Sequence, residues 1–311
     1  MPLDYRRFNG PEDSVSYKRF TKDYLKSYSE LYNNLIDEKG RRKDGRALEE
    51  ARSMCMFFAR TDMVSQAKGS AYIELKKTKA VCSVFDPREI PHQNEFSQLG
   101  QLFCEVKFAP FSCPNQRRTH APDADEKALS VALRQALEPT VCRHLFPNYQ
   151  IDVFVYILEN DGSCLAAAIN AAGLALANAA VPMYDIITAC SVAVIGEKMF
   201  VDPTEAEEHL AMMTPEKEGT NHGIITMSML SELKQVSDFT QIGSMDTDCV
   251  TKAIEILEKE CENIVPNIQK VLVLNVVQCI EQRKQLEEEA KEREQALNAK
   301  MEEWKQLLNS G

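Results

Sequence analysis

Residues 151–180 constrain the fold of this chain most strongly. Ile151-Asp152-Val153-Phe154-Val155-Tyr156-Ile157-Leu158 is an apolar run of strand length, and it reads as a strand covered on both faces. Asp161-Gly162-Ser163 then turns the chain. From Ala166 to Ala180 the sequence is almost entirely Ala, Leu, Ile and Asn. Side chains this small let a helix lie very close against a sheet. A strand running straight into an apolar helix requires a layered core of sheet on helix.

The segments before this unit are strand-like. Ala71, Ile73 and Leu75 alternate with Tyr72, Glu74 and Lys76, and Ala80 to Phe85 follows a Lys76-Lys77-Thr78-Lys79 link. That is a β-hairpin by its period of two. Another strand is expected over 101–108, with Leu102, Cys104, Val106 and Phe108 on one face. Asp123 and Asp125 are candidate caps for a helix whose stripe is Leu129, Leu133, Ala136, Leu137 and Val141. Beyond the small-residue helix, strands are expected near 187–194, 198–201 and 223–229. From Asp246 the spacing of Val250, Ile254, Leu257 and Cys261 is helical, and Pro266 should kink or divide that helix.

The ends of the chain differ in composition from its middle. Residues 1–40 are polar and Tyr-rich, and they read as a weakly structured N-terminal arm with a possible helical turn at 27–32. Glu281 to Ser310 is almost continuous Glu, Lys, Arg, Gln and Ala, broken by Leu297, Met301, Trp304 and Leu308. This is a long charged helix with one apolar edge, which either is merely solvated or docks on a partner. The expected organisation is an arm over 1–40, a main domain over 41–280 and a helical extension over 281–311. Strands and helices interleave twice, so the fold class is α+β, with a mixed sheet packed on helices.

Composition narrows the function. With 36 Lys plus Arg against 47 Asp plus Glu, the net charge is −11, which excludes a surface that grips nucleic acid all over but leaves room for a local basic patch. Apolar residues make up 44 % and charged residues 27 %, the balance of a folded globular protein. The ten cysteines show no two-residue spacing, and most sit beside Val, Ile, Leu or Phe as small hydrophobes. The polar start and the lack of any stretch near the ~20 apolar residues of a membrane span give the expectation of a reduced, intracellular, soluble protein. The glycines are too sparse for a dinucleotide or P-loop fingerprint, and the five histidines have no metal-ligand spacing. No cofactor and no metal are expected.

Three segments stand out in order. They are Arg42-Lys43-Asp44-Gly45-Arg46 ahead of the hairpin, Asp161-Gly162-Ser163-Cys164-Leu165 entering the small-residue helix, and Val201-Asp202-Pro203-Thr204-Glu205-Ala206-Glu207-Glu208 after a strand. Together they resemble the RNase PH family of phosphorolytic 3′-to-5′ exoribonucleases, over about Arg42 to Leu274. The resemblance implies a β-α-β-α fold assembled as a six-membered ring around an RNA channel. It also implies a cationic cradle for phosphate and an acidic pair near the scissile bond.

Departures from the family pattern matter more than matches. Active members carry Gly-Gly-Thr-Arg where this chain has Gly162-Ser163-Cys164-Leu165, so Cys164 and Leu165 replace the phosphate-binding hydroxyl and guanidinium. Of the family's Asp-x-Asp-x-x-x-Asp motif the chain keeps Asp202, with Thr204 and Glu208 at the other positions. His120 to Glu126 is acidic where active members are cationic. The Asp-Pro-Thr-x-x-Glu-Glu form resembles the non-catalytic ring subunits of the eukaryotic RNA exosome, most of all the mRNA-transport-regulator type. This implies a structural subunit of nucleus, nucleolus and cytoplasm. It would contact other RNase PH-like ring subunits, cap subunits with RNA-binding domains, and RNA in the channel, but no membrane. The enzyme alternative is a working phosphorolytic exoribonuclease with unusual ligands. Two smaller readings stay open: Cys164 as a nucleophile beside Asp161, against a thiol simply filling a small pocket, and Arg117-Arg118 as an RNA-facing loop, against two solubilising arginines.

Overall fold

The computed structural model describes residues 27–36, 41–52, 60–90, 96–113, 118, 123–213 and 220–309. Two sheets share one helix between them. The first sheet contains β1 (Arg60–Thr61), β2 (Gly69–Leu75), β3 (Thr78–Glu89), β4 (Gln101–Phe108) and β5 (Tyr149–Glu159), in the order β1-β2-β3-β5-β4. The expected hairpin is β2–β3, closed by Leu75↔Thr78 around Lys76-Lys77, with Lys76 in the left-handed region at φ 55°. β3 runs on to Glu89, and its register slips between Phe85 and Arg88, where Pro87 cannot donate to a ladder.

β4 does not sit beside the hairpin. It pairs parallel with β5 at the far edge, which requires a crossover. The crossover is α2 (Ala124–Leu137), introduced after α1 (Tyr28–Leu35) in chain order. Asp123 caps α2, and Glu126 completes a capping box. Glu126 also accepts from the Phe108 amide at 3.0 Å, and Ser130 accepts from the Val106 amide at 2.9 Å. Side chains of α2 therefore satisfy the open edge of β4.

The small-residue helix is α3 (Cys164–Asn178), buried from Ala166 to Leu176 and packed on β2, β3 and the second sheet. Gly173 shows how tight this is: a Cβ there would lie 2.7 Å from Ile187 Cγ2. The one amide on this apolar face, Asn170, donates to the Ala189 carbonyl (2.9 Å) and accepts from its amide (2.8 Å), clamping helix to sheet.

The second sheet contains β6 (Ile187–Ile195), β7 (Lys198–Val201), β8 (His222–Leu230) and β9 (Gln235–Ser244), all antiparallel, in the order β7-β6-β8-β9. Alternation along β6 sends Cys190, Val192 and Val194 to one face. They meet Cys249, Ala253, Leu257 and Cys261 of α5 (Thr247–Asn309), one residue per turn. The other face gathers Ala193, Ile195 and Phe200 with Leu210 and Ala211 of α4 (Glu205–Met212) and Leu35 of α1. The fold is α+β, with a mixed sheet and an antiparallel sheet packed on helices.

Several sequence expectations need correction. β5 is fully covered on the face of Ile151, Val153, Val155 and Ile157 and unevenly on the other, where Gln150 and Asp152 are buried but Tyr156 is exposed. α1 begins at the helical turn expected over 27–32 but runs on to Leu35, a core residue, so this part of the arm is packed. α4 and β9 were not foreseen. Pro266 lies inside an unbroken α5, where Val265 and Ile268 on either side are buried and hold the helix together. The chain divides into two compact units, 1–268 and 269–311. The second is the remainder of α5, with Val273, Leu274, Val276, Val277, Ile280 and Leu286 exposed. Within Thr247–Asn298 an 18-residue window reaches a mean hydropathy of 1.2 with at most two charges. By length and composition α5 is therefore long and apolar enough to cross a membrane, contrary to the sequence expectation. Asn and Gln interrupt the aliphatic run there without adding charge, so counting uninterrupted apolar residues overlooked it.

Candidate functional site

Two loops meet where α3 and α4 begin. Gly162 (φ 85°) and Ser163 (φ 51°) lead into α3, and Asp202 (φ 50°) leads toward α4. Gly162 has no substitute here: its conformation is left-handed, and a Cβ would come within 2.4 Å of the Pro203 carbonyl oxygen. The motifs that the sequence set 40 residues apart are thus in backbone contact.

Arg52 holds them together. Its Nε and Nη2 donate to the two Asp202 oxygens at 2.8 and 2.7 Å, and its backbone amide adds a third bond at 3.1 Å. The remaining guanidinium protons go to Thr78 Oγ1 (3.1 Å) and to the carbonyls of Asp161 (3.1 Å), Gly162 (3.1 Å) and Pro203 (3.3 Å). Thr78 donates in turn to the Gly162 carbonyl at 2.9 Å. Burial alone would raise the Asp202 carboxyl, but the bonds and charge of Arg52 outweigh it and hold that carboxyl below its usual range. Burial works against the Arg52 cation as well, and Asp202 more than offsets it. This is a bidentate, buried ion pair with its spare donors used.

The other acidic-motif positions are also engaged. Thr204 stands at the start of α4, and its amide donates to Glu207 Oε2 at 2.8 Å. Glu207 is buried and faces Arg42 Nη1 at 3.6 Å, while Arg42 lies over the Phe200 ring and donates to the Leu48 carbonyl. Glu208 reaches across to α3, where its Oε1 accepts from the Ser163 amide at 2.6 Å. Burial pushes the Glu208 carboxyl up to about 7. Cys164, next along, has its thiol pushed up to about 12 by burial and then by the Glu208 charge. A thiol held neutral in this way is a poor nucleophile. Leu165 brings neither donor nor charge to the helix start.

Arg118 is not beside these residues in the hydrogen-bond network. It stacks over Phe108 with its guanidinium carbon 4.2 Å from the ring centroid, donates to Cys113 Sγ at 3.4 Å, and pairs with Asp123 (3.4 Å) and Asp125 (3.7 Å). Asp123 and Asp125, both exposed, thus pair with this arginine. Arg117 lies outside the described residues, as does His120. Among the described residues, no group of three or more His, Cys, Asp and Glu is placed to hold a metal ion.

Arg52 and Thr78 are the residues that sequence reasoning missed. A lone Arg between Ala51 and Ser53 carries no local signal, and its partner Asp202 lies 150 positions away.

A mixed sheet, a small-residue helix and a second antiparallel sheet, with a Gly-Ser turn meeting an acidic turn at their junction, define an RNase PH-type domain. The sequence pattern of the 3′ exoribonuclease family, domain 1, matches residues 54–182. The chain belongs to the RNase PH family. Among curated relatives it is 32 % identical to exosome complex component MTR3 of Mus musculus, over 88 % of this chain and 96 % of the relative. It is 35 % identical to exosome complex component RRP41-like of Arabidopsis thaliana, over 69 % of this chain and 77 % of the relative. Among solved structures the fold is shared with rice (Oryza sativa) Rrp46, at TM-score 0.61, 22 % identity, 74 % of this chain and 100 % of that one. It is shared also with the Archaeoglobus fulgidus exosome solved with RNA bound to the active site, at TM-score 0.64, 18 % identity, 77 % of this chain and 96 % of that one.

Proposed function

We propose that this chain is a non-catalytic structural subunit of an RNA exosome ring, supporting 3′-to-5′ RNA processing and decay. It would form part of the wall around the RNA path, pack against other RNase PH-like subunits, and dock cap subunits with RNA-binding domains. The nucleus, nucleolus and cytoplasm would be its compartments. Similarity to MTR3 along nearly the whole chain supports the assembly. The observation that carries the absence of catalysis is the closed state of the site. Asp202 is bound to Arg52, Glu208 to the Ser163 amide, and Leu165 stands where the family pattern puts an arginine. Phosphorolysis needs donors aimed at the phosphate and free carboxylates near the scissile bond, and here the donors and carboxylates serve each other.

One observation favours the enzyme alternative. A carboxyl titrating at about 7 has the value expected of a general acid or base at neutral pH. The two readings separate cleanly in one assay. Full-length protein is incubated with RNA and inorganic phosphate, and released nucleoside diphosphates are measured. No release above a protein-free control is expected. Robust release that vanishes with Asp202→Ala would overturn the structural reading. Affinity purification from cells should recover RNase PH-like neighbours at equal stoichiometry, and recovery of the chain alone would count against the ring.

A further inference from the structure

A helix whose apolar residues recur every ~3.5 positions cannot bury them alone, because the stripe closes only when wound against another helix. From Leu272 onward α5 has this repeat. Leu272, Val276, Cys279, Leu286, Ala290 and Leu297 fall on its a and d positions, and the exceptions over that span are Arg283 and Arg293. Val276, Leu286 and Leu297 are each more than half exposed, at 57 %, 64 % and 61 %. The flanking e and g positions carry the opposite sign: Glu287, Glu289 and Glu294, with no Lys or Arg among them. Arg293 bonds Glu289 at 3.2 Å within the helix, an exposed pair that contributes little.

Length and charge choose the occupant. Between Lys270 and Glu281 the uncharged run is ten residues. That is about 15 Å of helix against a ~30 Å hydrocarbon core, so a bilayer does not fit it. The turns before it carry Val265 and Ile268, which are already buried. A second copy fits poorly as well. Parallel pairing sets Arg283 against its own counterpart and Glu289 against Glu294 of the other copy, and antiparallel pairing again sets acidic flank on acidic flank. We propose that α5 beyond Ile268 is one strand of a heterotypic coiled coil. Its partner is a helix of another protein, with Asp or Glu facing Arg283 and Arg293 and with Lys or Arg along its flanks. Such a helix is complementary at each of these charged positions, which is how e and g residues select partners.

The test uses the full chain. In cells, p-benzoylphenylalanine replaces Leu286 on the stripe or Lys291 on the back of the helix, and cross-linked segments are sequenced. The probe at 286 should capture one helical segment of another protein with Lys or Arg at its flanking positions, and the probe at 291 should not. Reversing Glu287, Glu289 and Glu294 together to Lys should lower that yield about tenfold, the scale of one lost complementary pair. Capture of a second copy, of lipid, of RNA or of a segment without basic flanks overturns the proposal. Equal capture from both sites, no capture, or a yield unmoved by the charge reversal does the same. A synthetic probe repeats the test on the purified full-length protein. A heptad helix with Glu facing Arg283 and Arg293 and Lys at its flanks should bind about tenfold more tightly than the same helix with Glu and Lys exchanged. Equal binding of the two sinks the charge argument. Recovery of ring neighbours bears on the exosome reading alone, so either reading can fail without the other.

Discussion

Glu208→Gln converts the charge buried at the head of α3 into a neutral isostere, and its effect on stability has a calculable sign and size. In the folded chain the Glu208 carboxyl titrates at about 7 against a reference of 4.5. The cause is burial first, opposed by the Ser163 amide and the Arg52 charge, with Asp202 and Glu205 adding repulsion. The folded value is raised, so above pH 7 the carboxylate is charged in both states and the folded state carries the penalty. As pH falls from about 7 to 4.5, the folded chain binds a proton that the unfolded chain does not, and stability rises by up to about 1.4 kcal/mol per pH unit. The full gap corresponds to about 3 kcal/mol. Glutamine keeps an oxygen to accept the Ser163 amide and carries no charge, so the variant escapes the penalty at high pH. At pH 8.5 it should be more stable than wild type by about 3 kcal/mol, or about 6–12 °C in Tm. By pH 4.5 the two should converge. Urea and thermal unfolding of the two full-length proteins between pH 4.5 and 8.5 measure this, and effects common to both cancel in the difference. A glutamine variant no more stable than wild type at pH 8.5, or a difference that does not change with pH, would refute the reasoning.

Arg52→Met leaves Asp202 buried without its partner and should cost about 3–5 kcal/mol by urea denaturation, part of it restored by adding Asp202→Asn. Gly173→Ala should destabilise by about 1–3 kcal/mol, although alanine is the better helix former by about 1 kcal/mol, because the new methyl collides with Ile187; a stabilised variant would contradict the packing described. Replacing Arg117 and Arg118 together by Ala should weaken RNA binding by the assembled ring and reduce its salt slope by about 1 per lost phosphate contact, whereas an unchanged slope rules out contact. Removing residues 282–311 should weaken association with another component through the Leu297–Met301–Trp304–Leu308 edge, and assembly indistinguishable from full length removes that role.

The legibility of the fold tracks how local its causes are. β2, β3 and β4 were readable because alternation is a property of adjacent residues, and the burial of Leu102, Cys104, Val106 and Phe108 follows it. α3 was readable from composition alone. β9 was not, because an edge strand with both faces largely open, Gln235-Val236-Ser237-Asp238-Phe239-Thr240-Gln241-Ile242, has no apolar face to display. α4 is eight residues long, too short for a helical period to emerge from Glu205-Ala206-Glu207-Glu208. In the site, Asp202 and Glu208 could be named from motif spacing, while what they bond to could not. Asp202 depends on an arginine before the first strand, and Glu208 on an amide at the start of a different helix. Leu297 and Met301 are exposed on α5 as their spacing suggested. The side chains of Trp304 and Leu308 lie outside the described residues.

The bond between Arg52 and Asp202 closes a loop of 150 residues. Loop closure of that length is slow to be repaid by a single contact. Arg52 precedes the first sheet and Asp202 follows β7 of the second, so the pair joins segments that local structure alone does not bring together. Interactions absent from the transition state slow unfolding without hastening folding. A pair of such long sequence separation is expected to act as a kinetic fastener: Arg52→Met should speed unfolding while leaving the folding rate nearly unchanged, and stopped-flow measurement of both rates checks this.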